Sequence, residues 1–165
     1  MLGSLCPARL IRALCCYVIM DGYADKIRRK RLAAGKSEGE MAELVGINLP
    51  SYFDLESYDD EVVDCLSLSE LSKMCRALNI TPANLLSDEV KGSDNLGHLS
   101  FAQFIERVKS YIESHGMTVP EFEDKVGWEL ESLLNAPEEI WERNVQFLKD
   151  VCGELGINWL SVVPE

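Results

Sequence analysis

The chain has 165 residues, of which 47% are apolar and 27% charged, a balance typical of a globular protein with a buried core. Twenty-eight carboxylates against sixteen Lys and Arg residues give a formal net charge of −12. This charge argues against general affinity for DNA, RNA or anionic membranes, because phosphate contacts require clustered positive charge. The length fits one ordinary domain or two very small ones.

Residues 1–20 differ from the rest of the chain. Two arginines precede the short apolar run Ala13–Met20, which has the charge order of a secretory signal but no small-residue cleavage site after it. The run is also shorter than the ~20 residues of a membrane-spanning helix. We interpret this segment as an N-terminal extension. It is either a disordered tail or a stretch that precedes the true start of the protein at Met20. A packed accessory helix and a targeting segment are the alternatives.

The chain contains an internal repeat. A shift of 81 residues places Ile27–Gly46 on Val108–Gly127, with Gly35, Glu40, Val45 and Gly46 meeting identical residues. Further along, a shift of 77 residues aligns Leu71 to Ile80 with Leu148 to Ile157. We therefore predict a first repeat over residues 21–88, a turn-rich linker over 89–98, and a second repeat over 99–165.

The local signals in both repeats are helical, and strand alternation of any length is missing. Each repeat has a capping box at the start of its second helix and a glycine at the end of that helix. These residues are Ser37, Glu40 and Gly46 in the first repeat, and Thr118, Glu121 and Gly127 in the second. Pro50 is suited to the first turn of a third helix that starts near residues 49–51.

A longer fourth helix is predicted from about Leu66 to Leu78, matched by about Glu139 to Leu155 in the second repeat. Thr81 and Asn158 are then N-caps of a last short helix. The prediction is an all-α protein with five helices in each repeat.

This order of elements resembles the phage repressor and Cro helix-turn-helix family, also called XRE-type. The residues that carry the resemblance in the first repeat are Ile27, Arg31, Gly35, Ser37, Glu40, Met41, Ala42, Val45, Gly46, Tyr52, Leu55 and Glu56. The second repeat matches through Val108, Gly116, Thr118, Glu121, Phe122, Val126, Gly127, Leu133, Leu148, Leu155, Ile157, Leu160 and Val163. The resemblance implies two Cro/lambda-repressor-like five-helix domains in tandem, the second more degenerate.

The resemblance also implies a structural ion pair between Arg31 and Glu56. At the equivalent positions the second repeat has Ile112 and Pro137, so both charges are replaced together. This agrees with the cost of leaving one buried charge without its partner.

In the family, the third helix enters the DNA major groove, and the positions that would read DNA are Glu38, Asn48, Ser51, Tyr52 and Asp54. None of them is the Arg or Lys that pairs with guanine. From Ser37 to Ser72 there are ten carboxylates and no basic residue. A surface of this charge repels phosphates, so DNA binding is disfavoured although the fold permits it.

We therefore predict a cytoplasmic protein-interaction module that binds a basic protein partner, in an antitoxin-like, immunity-like or DNA-mimic role. Its partner-binding acidic face comprises Asp54, Asp59, Asp60, Glu61 and Asp64. The alternative is a DNA-binding transcriptional regulator that uses the first repeat. An enzyme with carboxylate chemistry is a third interpretation, but no catalytic, metal-binding or cofactor motif is present. We expect no membrane association, and a homodimer is permitted but not required.

The cysteine pattern also favours a cytoplasmic protein. None of the six forms a C-x-x-C pair, and no histidine lies at zinc-ligand spacing from them. We expect them to be reduced thiols that pack as small apolar residues.

Overall fold

The computed structural model describes residues 22–87 and 98–163. These residues are helical and contain no β-strand, so the all-α prediction is confirmed. The N-terminal extension predicted over 1–20, and all of the predicted linker except His98, lie outside the described residues, as do Cys6, Cys15 and Cys16. Within the described part, no helix is both long and apolar enough to cross a membrane.

The first described segment, residues 22–87, contains six α-helices. They are α1 (Tyr23–Ala33), α2 (Glu38–Val45), α3 (Leu49–Leu55), α4 (Asp59–Asp64), α5 (Leu68–Ala77) and α6 (Pro82–Leu86). The second segment, residues 98–163, contains α-helices and short 3-10 helices. They are α7 (Phe101–Ser114), α8 (Val119–Val126), α9 (Glu131–Asn135), a 3-10 helix (Pro137–Glu142), α10 (Val145–Leu155) and a 3-10 helix (Trp159–Ser161).

Helix α2 begins and ends where its sequence predicts. The Ser37 hydroxyl accepts the Glu40 N–H, and the Glu40 carboxylate accepts the Ser37 N–H at 2.7 Å, so both halves of the capping box form. Gly46 then ends the helix at φ 91°, a left-handed conformation that a residue with a Cβ adopts only with strain. Helix α8 has the same two signals in Thr118–Glu121 and Gly127.

Two details of the predicted helices are wrong. The sequence did not predict a helix over Asp59–Asp64. This helix is only six residues long, and its buried side consists of Val62 and Val63 alone, too few apolar residues to show a helical spacing. The long helix predicted over Glu139–Leu155 is two elements, since Arg143 is extended and the Asn144 side chain caps a new helix by accepting the Phe147 N–H. The count of five helices is therefore wrong for both described segments: the first has six α-helices, and the second has four α-helices and two 3-10 helices.

The buried apolar residues of both segments belong to one contiguous cluster. The segments meet at Ser67 and Asn144, the N-caps of α5 and α10, which form an isolated antiparallel bridge. The Leu68 N–H donates to the Arg143 carbonyl at 2.7 Å beside it, and the Asn144 amide donates to the Asp64 carbonyl.

The 77-residue shift makes Ser67 and Asn144 equivalent positions. It also makes α4 equivalent to the 3-10 helix Pro137–Glu142, and α5 equivalent to α10. Helix α4 packs on α10, and reciprocally the 3-10 helix packs on α5. The two segments therefore contact each other through elements that the 77-residue shift makes equivalent.

Candidate interaction surface

Helix α3 is held against the core by one side and presents the other side to solvent. Tyr52 and Leu55 are fully or almost fully buried, which fixes the rotation of the helix. The Asn48 side chain caps it by accepting the Ser51 N–H at 2.9 Å, and Pro50 occupies its first turn. Leu49 and Phe53 are 50% and 56% exposed on the outward side.

Helix α4 adds carboxylates next to α3. Asp60 and Asp64 are exposed and Glu61 is half-buried, while the apolar side of the helix packs inward. Together with the outward residues of α3 they form what we call the α3–α4 surface: Leu49, Pro50, Phe53, Asp54, Asp60, Glu61 and Asp64.

An open groove of about 420 Å³ runs between α3, α4 and the start of α5. Three carboxylates line it, from Asp54, Glu61 and Glu70, together with the Cys65 thiol. One cation reaches its rim, since the Lys73 ammonium lies near Gly46. The groove therefore offers acceptors for a cationic side chain.

The Cys65 thiol shows how negative this region is. A hydrogen bond to Glu61, followed by partial burial and the charges of Glu61, Asp64 and Asp60, raises the pKa of Cys65 to about 11. Negative charge around a thiol disfavours the thiolate. The thiol is thus protonated at neutral pH although its residue is exposed.

Asp59 has a structural contact that the sequence did not suggest. Its carboxylate accepts the Ala24 N–H at 2.9 Å, so it caps α1, whose own N-cap residue Gly22 has no side chain. A Cβ at Gly22 would lie 2.0 Å from Asp59 Oδ2, which shows how closely the carboxylate covers that helix end. Of the predicted acidic face, Asp59 is therefore committed to the fold.

The predicted DNA-reading positions do not form one exposed set. Tyr52 is 0% exposed: its side chain lies in the core and presents no surface to a base edge. The Asn48 amide oxygen is used in capping α3, and Glu38 lies 3.4 Å from the Arg31 guanidinium. Ser51 is exposed, and Asp54 is half-buried at the groove.

The structure brings Arg31 and Glu56 together as a buried ion pair. Arg31 Nε and Nη2 donate to the two Glu56 carboxylate oxygens at 2.5 and 2.7 Å, and the residues are 8% and 3% exposed. The hydrogen bond to Glu56 raises the pKa of the guanidinium. This pair joins the end of α1 to the end of α3 and leaves neither charge for a ligand.

A cluster of basic residues lies on α1. Lys26, Arg29 and Lys30 line a groove of about 610 Å³ between α1 and α6 with Ile80 and Leu85. The Lys26 ammonium donates to the Leu85 carbonyl at 3.1 Å, and Arg28 is bound to Asp25 and Glu56. Lys26, Arg29 and Lys30 therefore line a different groove from the one beside α3 and α4.

The second repeat has a groove at the equivalent place, lined by Glu123, Glu129, Glu131, Ser132 and Asn135. By the 81-residue shift, Ser132 and Asn135 stand where Ser51 and Asp54 stand in the first repeat. The Glu123 carboxylate accepts the Leu130 and Glu131 N–H groups at 2.6 and 2.9 Å, so this acid caps α9 from α8. Both grooves are acidic, although different residues make them so.

Comparison of the chain with protein-family models, with curated proteins and with solved structures gave no match.

Proposed function

We propose that this protein is an acidic protein-interaction module, built on two degenerate Cro-like helix-turn-helix domains in tandem, that binds a basic protein partner. The observation that carries the proposal is the makeup of the α3–α4 surface. It combines the exposed apolar side chains of Leu49 and Phe53 on α3 with the carboxylates of Asp54, Asp60 and Asp64 on α3 and α4. A phosphate backbone finds no cation on these residues, whereas Lys and Arg side chains find several acceptors.

In this proposal the module itself has an antitoxin-like, immunity-like or DNA-mimic role, and its partner is a basic toxin or nucleic-acid-binding protein. Each of these roles covers a basic, nucleic-acid-binding or toxic surface with carboxylates, and complementary charge accelerates the association of such pairs. The reciprocal contact of the two repeats supports a single-chain module, because it gives the tandem the layout of a dimer without a second chain.

A transcriptional regulator that reads DNA with the first repeat is the second candidate. The observation in its favour is the cluster of Lys26, Arg29 and Lys30 on α1, which could hold a phosphate. The two candidates are separated by fluorescence anisotropy of a mixed-sequence DNA duplex pool at low and at near-physiological salt. Low salt strengthens phosphate attraction, so absence of binding there excludes the regulator. Binding that persists at the higher salt would favour it over our proposal.

The interaction module is tested by affinity purification with the double variant D60K/D64K. Both positions are exposed, and the Asp59 cap of α1 is left intact. The matched control is E138K/E142K, which makes the same change in charge at exposed positions of the equivalent 3-10 helix. We expect a basic protein to be retained by the wild type and the control and lost by D60K/D64K. Equal retention by all three proteins would contradict the proposal.

A further inference from the structure

The outward side of α3 carries a continuous apolar stripe. Leu49 and Phe53 are four residues apart and therefore share one side of the helix, and each leaves about half of its surface exposed. Pro50, between them, is exposed as well. Isolated apolar residues are common on protein surfaces, but adjacent large ones ringed by polar groups mark interaction sites. We call Leu49, Pro50 and Phe53 the α3 stripe.

The second repeat shows that this exposure is not imposed by the fold. The 81-residue shift makes Leu130 and Leu134 the equivalents of Leu49 and Phe53. Leu130 is 0% exposed and Leu134 is half-buried, and both pack with the core. The same two positions are thus buried or half-buried in one repeat and exposed in the other.

The charges beside the α3 stripe define what can cover it. Asp54 lies next to Phe53 on the same helix and, with Glu61, lines the groove that opens beside the stripe. A ligand that covers the stripe therefore brings cationic groups to within reach of these carboxylates. A second copy of the chain is a poor occupant, because two surfaces of the same negative sign would meet.

We infer that the α3 stripe docks a basic amphipathic helix of the partner, whose apolar side chains cover Leu49 and Phe53 while its Lys or Arg side chains enter the groove of Asp54 and Glu61. This inference rests on the proposed function and names the kind of segment that the acidic module recognises. A helix suits the site because its apolar positions recur every three to four residues, the spacing of the stripe itself.

The test uses a fluorescein-labelled Leu/Lys amphipathic peptide of about 18 residues, long enough to be helical when bound. Its anisotropy is titrated with the full chain at roughly 150 mM salt, where non-specific attraction is screened. The variant is L49S/F53S, and the matched control is L32S, which removes an exposed leucine (61%) on α1. We expect about a tenfold or greater loss of affinity for L49S/F53S, since central apolar anchors dominate such interfaces, and less than about a twofold change for L32S.

Circular dichroism spectra and unfolding midpoints of both variants establish that they fold, which is expected because the replaced side chains lie outside the core. Affinity unchanged by L49S/F53S but abolished by D60K/D64K would overturn the docking inference and leave the acidic module standing. Absence of peptide binding by the wild type would overturn the docking inference, whereas the acidic module is decided separately by the affinity purification with D60K/D64K. A wild-type dimer that L49S/F53S converts to a monomer, seen by analytical ultracentrifugation, would assign the stripe to a second copy and also overturn the inference.

Discussion

Removal of one partner of the Arg31–Glu56 pair should destabilise the protein far more than removal of both. Glu56 is 3% exposed, so Arg31→Met leaves a buried carboxylate that has lost its two-point contact and retains the Arg28 guanidinium, whose Nε lies 3.9 Å away. In Glu56→Gln, the buried guanidinium keeps the Lys36 carbonyl at 3.1 Å and Glu38 at 3.4 Å, neither of which replaces a two-point contact with a carboxylate.

The expected magnitudes follow from this burial. Breaking a buried ion pair by removing one partner costs about 3–5 kcal/mol. We expect Arg31→Met to fall in that range. Glu56→Gln should fall at or below its lower end, because the amide oxygen still accepts one hydrogen bond. The double variant R31M/E56Q should lose less than either single variant, since no unpaired charge remains. The second repeat, with Ile112 and Pro137 at the equivalent positions, already shows that both charges can be absent.

The assay is urea unfolding followed by circular dichroism, with the free energy of unfolding obtained for the wild type, both single variants and the double variant. The coupling energy of the double-mutant cycle isolates the pair from the other contacts of each residue. Single variants that each lose under about 1 kcal/mol would place the pair among exposed salt bridges and refute the reasoning. A double variant that loses the sum of the single losses would refute it equally.

Three further predictions concern individual side chains. Asp59→Ala should cost about 1 kcal/mol of unfolding free energy, because the cap of α1 is lost. The neighbouring variant Asp60→Ala should cost less than half of that. Equal costs in urea unfolding would contradict the assignment of Asp59 as the cap. Alkylation of Cys65 by iodoacetamide, followed by peptide mass spectrometry, should accelerate about tenfold per pH unit up to a pH near 11, since only the thiolate reacts. Glu61→Gln removes the main cause of the raised pKa of Cys65, so it should speed the alkylation at pH ~8. An unchanged rate would mean that the Glu61 carboxylate does not raise this pKa. Asn144→Ala should lower the free energy of unfolding by roughly 1–2 kcal/mol, because the cap of α10 and the hydrogen bond to the Asp64 carbonyl are lost together. A loss of only a few tenths of a kcal/mol in urea unfolding would mean that this contact between the repeats is weak.

Much of the helical framework could be predicted because its signals are local. The Ser37–Glu40 box starts α2 and Gly46 ends it through interactions that span only a few residues, so the chain specifies them without reference to the rest of the fold. Helix α4 escaped prediction for the opposite reason. Its first turn is acidic and has no side-chain cap, and its stability comes from Val62 and Val63 packing on distant elements.

The candidate surface could be predicted in part. The excess of carboxylates between Ser37 and Ser72 is a property of the sequence, and so is the absence of an Arg or Lys at the reading positions. The roles of individual acids could not be predicted, because they depend on contacts between residues far apart in the chain. Asp59 and Asp60 are both exposed, yet only Asp59 has its carboxylate at the end of a helix that begins 36 residues earlier and accepts the Ala24 N–H there.

By itself, the sequence determined the all-α class, the helix ends at capping boxes and glycines, and the negative charge that argues against phosphate binding. Tertiary structure alone decided which equivalent residues are core and which are surface. Leu49 and Leu130 occupy the same place in the repeat, yet one is half-exposed and the other is buried. Apolar periodicity gives the side of a helix that prefers burial, but burial itself requires another element to cover that side. Only the packed chain determines where such an element is present.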